Sequence, residues 1–259
     1  MHPEWLVPDW PVPANVHAVC TTRAGGDSLP PYDSLNLGDH VGDQPAAVAR
    51  NRQRLRDALG TRPVFLQQVH GSETARLDSG TADGTQADGC VATTTGQACT
   101  IMVADCLPVL FADMQGRAVA AAHAGWRGLA GNGKNGILEA VSEAVRAEAR
   151  VRWTFPAIEL VAWLGPCIGA GAFEVGAEVK AAFELHEPAA AAMFKPHTPG
   201  KWLADLQGLA RQRLAALGIT AVYGNDGSDA WCTVSNPSRF FSHRRDRVSR
   251  RLAACVWLG

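Results

Sequence analysis

The amino-acid sequence predicts a single α/β domain in which helices and strands are mixed and the sheets are not purely parallel. Three observations carry this expectation. Amphipathic stripes of helical period alternate along the chain with short apolar runs of strand length. After residue 89 a series of strand-like runs follows with only tight turns between them, which requires antiparallel or mixed pairing rather than repeated βαβ crossovers. No linker, low-complexity tract or repeat of about 20 to 50 residues divides the 259 residues into halves.

In chain order, Val16–Cys20 reads as a first strand. TTRAGGDSLPPYDSLNLGDHVGD then has no periodicity, and a loop of that length is functional or disordered more often than filler. Pro45–Leu59 places Val48, Leu55 and Leu59 on one helical stripe, with Gly60 as its stop. PVFLQQVH predicts a strand with Val64, Leu66, Gln68 and His70 on one face, and CVATTT, ACTIMVAD, PVLFAD and RAVAAAH predict four more. The glycine-rich AGWRGLAGNGKNG feeds a helix with Ile137, Val141, Ala144 and Val145 inward. It matches neither phosphate-binding glycine pattern, so tight turns and close packing explain its glycines better. IELVAWLG, ITAVYG and LAACVWL predict later strands. AEVKAAFELH and LADLQGLARQRLAALG predict helices, the second with Leu203, Leu206, Leu209, Leu214 and Leu217 on its stripe and a Gly218 stop.

Hydrophobic residues at 47% and charged residues at 19% describe an ordinary globular protein. A net charge of -1 argues against nucleic acid or a membrane surface held by bulk electrostatics. Seven cysteines, odd in number and without a CxxC pair, make a poor disulfide framework and point to a reducing compartment. The first residues lack the features of a signal peptide, so the expected location is the cytoplasm. Six arginines between Arg239 and Arg251 form the one dense positive run. They read equally as an anion site or as a solvated rim, and the adjoining Phe240 and Phe241 read as core.

Three side chains stand where apolar runs meet turns: His70, Cys106 and His123. A tight turn at Asp113-Met114-Gln115-Gly116 would set Cys106 directly opposite His123, with Cβ atoms about 5 Å apart. Two chemistries fit these atoms. A thiolate and two imidazoles suit zinc and leave a tetrahedral ion one open position, the catalytic pattern. Alternatively, Cys106 is a nucleophile activated by His123, although one histidine suffices for that role. Strand alternation turns Asp105 to the opposite face, as a hydrogen-bond acceptor.

With these residues in hand, the chain resembles the YfiH or laccase-domain family, whose members carry the labels polyphenol oxidase, purine nucleoside phosphorylase and peptidoglycan editing factor. The resemblance runs in order through TTRAGG, SLNLGDHVGD, NRQRL, QQVHG, ADGCVATTTG, ADCLPVLFAD, AAHAGWRGLAGN, GPCIGAGAFEVG and FFSHRRD. This sequence departs from the family near its end, with His243 where Tyr is frequent, and Arg247 and Ser249-Arg250 where glycines are frequent.

The resemblance implies a four-layer α/β/β/α arrangement, with His70, Cys106 and His123 as zinc ligands. It also implies phosphorolysis of adenosine, inosine, guanosine or methylthioadenosine, with deamination of adenosine, by a monomer or weak homo-oligomer acting on small molecules. Arg23, Arg127 and Arg244, chosen by residue type and loop position, are the expected phosphate ligands. The alternatives are a zinc hydrolase that removes a wrongly incorporated amino acid from a nucleotide-linked cell-wall precursor, a copper-dependent phenol oxidase, and a zinc-stabilised binding module.

Overall fold

Two sheets face each other across the centre of the molecule, and the alternation along their strands decides which side chains fill the space between them. The computed structural model describes residues 1–132, 135–152, 158–248 and 250–259. Gly133 and Lys134 of the glycine-rich segment, and Ser249, lie outside them. Within the described residues the chain runs β1 (Val16–Cys20), α1 (Pro45–Leu59), β2 (Arg62–Phe65), β3 (Thr74–Arg76), β4 (Gly89–Ala92), β5 (Gln97–Val103), β6 (Leu107–Asp113) and β7 (Val119–Ala124). It continues through α2 (Trp126–Ala130), α3 (Ile137–Arg152), β8 (Leu160–Leu164), β9 (Glu174–Gly176), α4 (Ala177–Glu184), β10 (Phe194–Pro196) and β11 (Lys201–Ala204). The last elements are α5 (Leu206–Ala216), β12 (Val222–Gly224), α6 (His243–Asp246) and β13 (Leu252–Leu258).

One sheet has the order β1-β13-β5-β2 and the other β12-β8-β6-β7-β4-β3. Both are mixed: β6 pairs antiparallel with β7 and β8, whereas β2–β5, β3–β4 and β8–β12 are parallel. Three buried clusters define the layers. Val64, Ile101, Leu110, Ala121, Trp163 and Ala254 fill the space between the sheets. Phe65, Met102 and Cys255 on the outer face of the smaller sheet meet Leu55 and Leu59 of α1. Phe111 and Ala122 on the outer face of the larger sheet meet Val141 and Val145 of α3 and Leu209 of α5. The result is the expected α/β/β/α sandwich.

Helix α1 keeps its predicted bounds, and Gly60 closes it at φ 65°, a conformation that costs glycine nothing. Two local expectations are corrected. Leu203 belongs to β11, paired with Glu174 and Lys195, because Asp205 accepts the Gly208 N–H at 2.9 Å and so starts the helix three residues later. The strand predicted over PVFLQQVH ends at Phe65, for a reason that belongs to the site below. A small third sheet, β10-β11-β9, has no counterpart in the sequence pattern, its strands being three or four residues long.

Phe240 and Phe241 are wholly buried, Phe240 in the central layer. Phe240→Ala is expected to cost about 3 to 5 kcal/mol in a denaturant titration. A loss under about 1 kcal/mol would show that the layer repacks around the gap.

Candidate metal centre and flanking cavities

Asp88 bends the chain that carries His70. Wholly buried just before β4, its carboxylate accepts the backbone N–H of Val69 at 3.0 Å, His70 at 2.9 Å and Gly71 at 2.7 Å. Three successive donors turned toward one acceptor cannot lie along a strand, so the segment coils, with His70 at φ 61°. Gln68 replaces the lost ladder pairing: its amide accepts the Met102 N–H and donates to the Met102 carbonyl, both at 2.8 Å. The same carboxylate takes a fourth hydrogen bond, from His123 Nδ1 at 2.8 Å. Because a carboxylate only accepts, Nδ1 carries the proton and Nε2 is left as the ligand atom.

Cys106 lies in the turn between β5 and β6, beside Asp105 at φ 84°. Asp105 accepts the Thr233 hydroxyl and the Arg244 N–H, each at 2.6 Å, the bracing role its position predicts. The predicted hairpin register is corrected. His123 pairs with Pro108, and Leu107 with Ala124, two residues from the expected pairing. The turn at 113–116 does form, with Gly116 N–H on the Asp113 carbonyl at 2.8 Å, but Asp113 N–H then reaches Ala118. Arg117, bound through Nε to the Asp113 carboxylate at 2.6 Å, lengthens the loop. A shift of two keeps every side chain on its predicted face, so Cys106 and His123 still meet, diagonally.

The ligand atoms of His70, Cys106 and His123 all lie within 4.8 Å of one another, and Cys106 Sγ is 3.8 Å from His70 Nε2. The imidazole rings stand edge to face, 4.7 Å apart at 69°. Bonds of about 2.0 to 2.3 Å bridge such a gap, and one sulfur with two ring nitrogens is a donor set that fits zinc. Gly125 makes the convergence possible, because a Cβ there would stand 3.0 Å from both Cys106 Sγ and His70 Cδ2. Gly128 packs against the Gly71 carbonyl where a Cβ would clash at 2.7 Å, as expected of a glycine kept for close packing. Among the described residues this is the one grouping of three or more His, Cys, Asp or Glu that converges so closely.

Burial pushes the Cys106 thiol up, but the charge and hydrogen bond of His123 and the hydrogen bond from His70 bring it down to about 6. Burial lowers His123, but the Cys106 thiolate and Asp88 outweigh it and raise the imidazole to about 9. Burial likewise raises Asp88, and the bonds from His123 and Gly71 more than compensate, leaving it below the ordinary carboxylate range.

A cavity of about 300 Å³ opens beside His70 and Cys106, its apolar wall made by Trp126, Ile168, Phe173 and Leu206. A smaller chamber of about 60 Å³ adjoins the same three ligands and contains His40, Gln68 and Arg251. A wider cleft, about 720 Å³ between Glu73, Asn132 and α3, includes none of the three residues. Of the expected phosphate ligands, Arg244 lines the 300 Å³ cavity, its guanidinium on the Glu174 carbonyl at 3.2 Å. Arg127 is exposed and stacks on Trp126, 4.4 Å from the ring centre. Arg23 lines neither space beside the triad, being tied to Asp33 at 2.8 Å and to the Pro237 carbonyl.

Sequence reasoning missed Asp88 and Arg251. The only signal for Asp88 was an acid in a loop just before a strand, and Arg251 was one of six arginines. Two of that run are structural: Arg245 holds the carbonyls of Thr233 and Phe240, and Arg250 holds Asp246.

Fold and site together define an α/β/β/α protein with a candidate three-donor metal site at the ends of the central strands of its larger sheet. The sequence matches the model of the multi-copper polyphenol oxidoreductase laccase family over residues 17–259, and the chain belongs to that family. It is 49% identical to a Pseudomonas aeruginosa protein named purine nucleoside phosphorylase, over 98% of each chain. It is 46% identical to the Escherichia coli purine nucleoside phosphorylase YfiH, again over 98% of each. A Neisseria meningitidis crystal structure superposes with a TM-score of 0.88 at 45% identity, covering 98% of this chain and 99% of that one.

Two outcomes are expected. Asp88→Ala should lower metal affinity about 10- to 100-fold by freeing His123 and the 69–71 turn together, measured by chelator competition. Metal uptake at pH 7.5 should expel the His123 proton and weaken below about pH 6, where Cys106 regains its own proton. An affinity that is flat from pH 7.5 to 5 would contradict the thiolate assignment.

Proposed function

We propose that this chain is a zinc-dependent purine nucleoside phosphorylase that also deaminates adenosine. The reading is supported above all by three neutral-or-anionic donors converging beside an aromatic-walled cavity of nucleoside scale. Zinc held by His70, Cys106 and His123 would supply Lewis-acid polarisation at an open position. Convergence of two histidines on the sulfur favours this over a Cys106 nucleophile, which needs only one. Among the described residues a single three-donor cluster provides for one ion, which weighs against the several-copper chemistry in the family's description.

In phosphorolysis a phosphate oxygen forms a bond to C1′ of the ribose while the bond from C1′ to the purine nitrogen breaks. The bonding pair leaves with the base, which takes up a proton. Trp126 and Phe173 offer flat apolar faces to a purine, and Arg244, anchored on Glu174, places positive charge at the same mouth. Substrates of this class are adenosine, inosine, guanosine and methylthioadenosine. Seven unpaired cysteines support a reducing cytoplasmic setting, and the net charge of -1 supports small molecules rather than nucleic acid as partners. Among the described residues no helix is long and apolar enough to cross a membrane.

Inosine with phosphate should yield hypoxanthine and ribose 1-phosphate, resolved by mass spectrometry, with no hypoxanthine when phosphate is omitted. Chelation should abolish turnover and zinc restore it, and His123→Ala should lose at least about 10²-fold in kcat/KM. Phosphate-independent turnover, or release of an amino acid from a cell-wall precursor in place of nucleoside cleavage, would replace this reading with the hydrolase.

A further inference from the structure

The two spaces beside the triad differ in chemistry. The 300 Å³ cavity combines two aromatic rings and two aliphatic side chains, a surface suited to a flat base, with Asp105, His243, Arg244 and Arg251. The 60 Å³ chamber has room for a few waters or one small oxyanion. No Asp or Glu is among its described lining residues, while Arg251 and His40 both face into it. Gln68 spends its amide oxygen and one N–H on Met102, which fixes the side chain in the chamber wall.

Arg251 is held at the wall common to both spaces. Its backbone N–H donates to Asn36 Oδ1 at 3.0 Å, and its carbonyl accepts the Leu37 N–H at 3.2 Å. Gly38 lets its stem lie flat, for a Cβ there would stand 2.7 Å from Arg251 Cγ. Nη1 donates to the Arg250 carbonyl at 3.0 Å, which fixes the direction of the guanidinium. A planar, permanently charged fork fixed in this way suits bidentate contact with a tetrahedral oxyanion. His40, exposed on the neighbouring loop with Nδ1 at 3.4 Å from Asp39 Oδ1, adds a ring to the chamber wall. The other candidate arginines are less well placed. Arg23 is paired with Asp33, Arg127 stacks on Trp126 outside the chamber, and Arg244 lies in the apolar cavity.

We infer that the small chamber is the phosphate subsite, with Arg251 as its principal ligand and His40 as a second, so that phosphate and purine approach the triad from two different spaces. The inference rests on the proposed phosphorolysis for its choice of anion, and its test does not depend on turnover. Inorganic phosphate is titrated into zinc-loaded protein without nucleoside, by calorimetry and by phosphorus NMR, for wild type, Arg251→Met, Arg251→Lys, His40→Gln and Arg244→Met. Arg251→Met should weaken phosphate binding roughly tenfold or more, with Arg251→Lys intermediate. His40→Gln, an exposed substitution that keeps the fold if Arg251→Met does not, should weaken it by about threefold.

In turnover assays the phosphate KM should move with these variants more than the inosine KM does. The subsite is wrong if wild type binds no phosphate, or if His40→Gln and Arg251→Lys bind it as wild type does while Arg244→Met loses it. Phosphate binding that is lost in Arg251→Met, alongside inosine cleavage that ignores phosphate, would leave the subsite standing and overturn the phosphorylase.

Discussion

One carboxylate sets the geometry on which the metal centre depends. Asp88 accepts four hydrogen bonds, three from the turn that presents His70 and one from His123 itself. Two ligands that are distant in sequence are thereby referred to one fixed charge. The arrangement is stable because every lone pair of a buried anion is engaged, which offsets the cost of removing it from water. It also sets the tautomer of His123, so that once the imidazolium gives up a proton the nitrogen left bare is the one facing the other donors.

The third donor is positioned independently. Cys106 follows a residue in left-handed backbone, and that residue is braced by Thr233 and by the backbone of α6. The C-terminal segment thus supports the metal centre without donating a ligand. Gly125 completes the arrangement by omission, since any side chain there would enter the space shared by the sulfur and the His70 ring. The site is therefore assembled from the ends of strands in the larger sheet together with the loops beside them, a rigid scaffold presenting loop-borne side chains.

Much of this was legible in the sequence wherever a local rule and the tertiary environment agreed. The stripe of α1 and its glycine stop were readable because an apolar pattern of about three turns and a cap act within one element. The triad was readable because each member sits at the junction of an apolar run and a turn. The hairpin register was off by two because Arg117 pairs with Asp113, a side-chain contact that turn rules do not contain. The strand through His70 failed because its competitor, Asp88, lies 18 residues away and carries no local mark. Arg23 looked like an anion ligand because a loop arginine shows its charge in the sequence but not its partner, Asp33. The strands β9, β10 and β11 are too short to establish a period.

Strand β13 lies between β1 and β5, pairing with both over most of its length. On a ribosome it emerges long after those two neighbours. Until it arrives, their inner edges present unpaired amides and carbonyls flanked by apolar side chains, a surface prone to inappropriate association. Biogenesis thus has a late, nonlocal closing step: the arginine-bearing stretch that precedes β13 reaches its place beside the metal ligands only when the smaller sheet is sealed, so competence and completion of the sheet coincide.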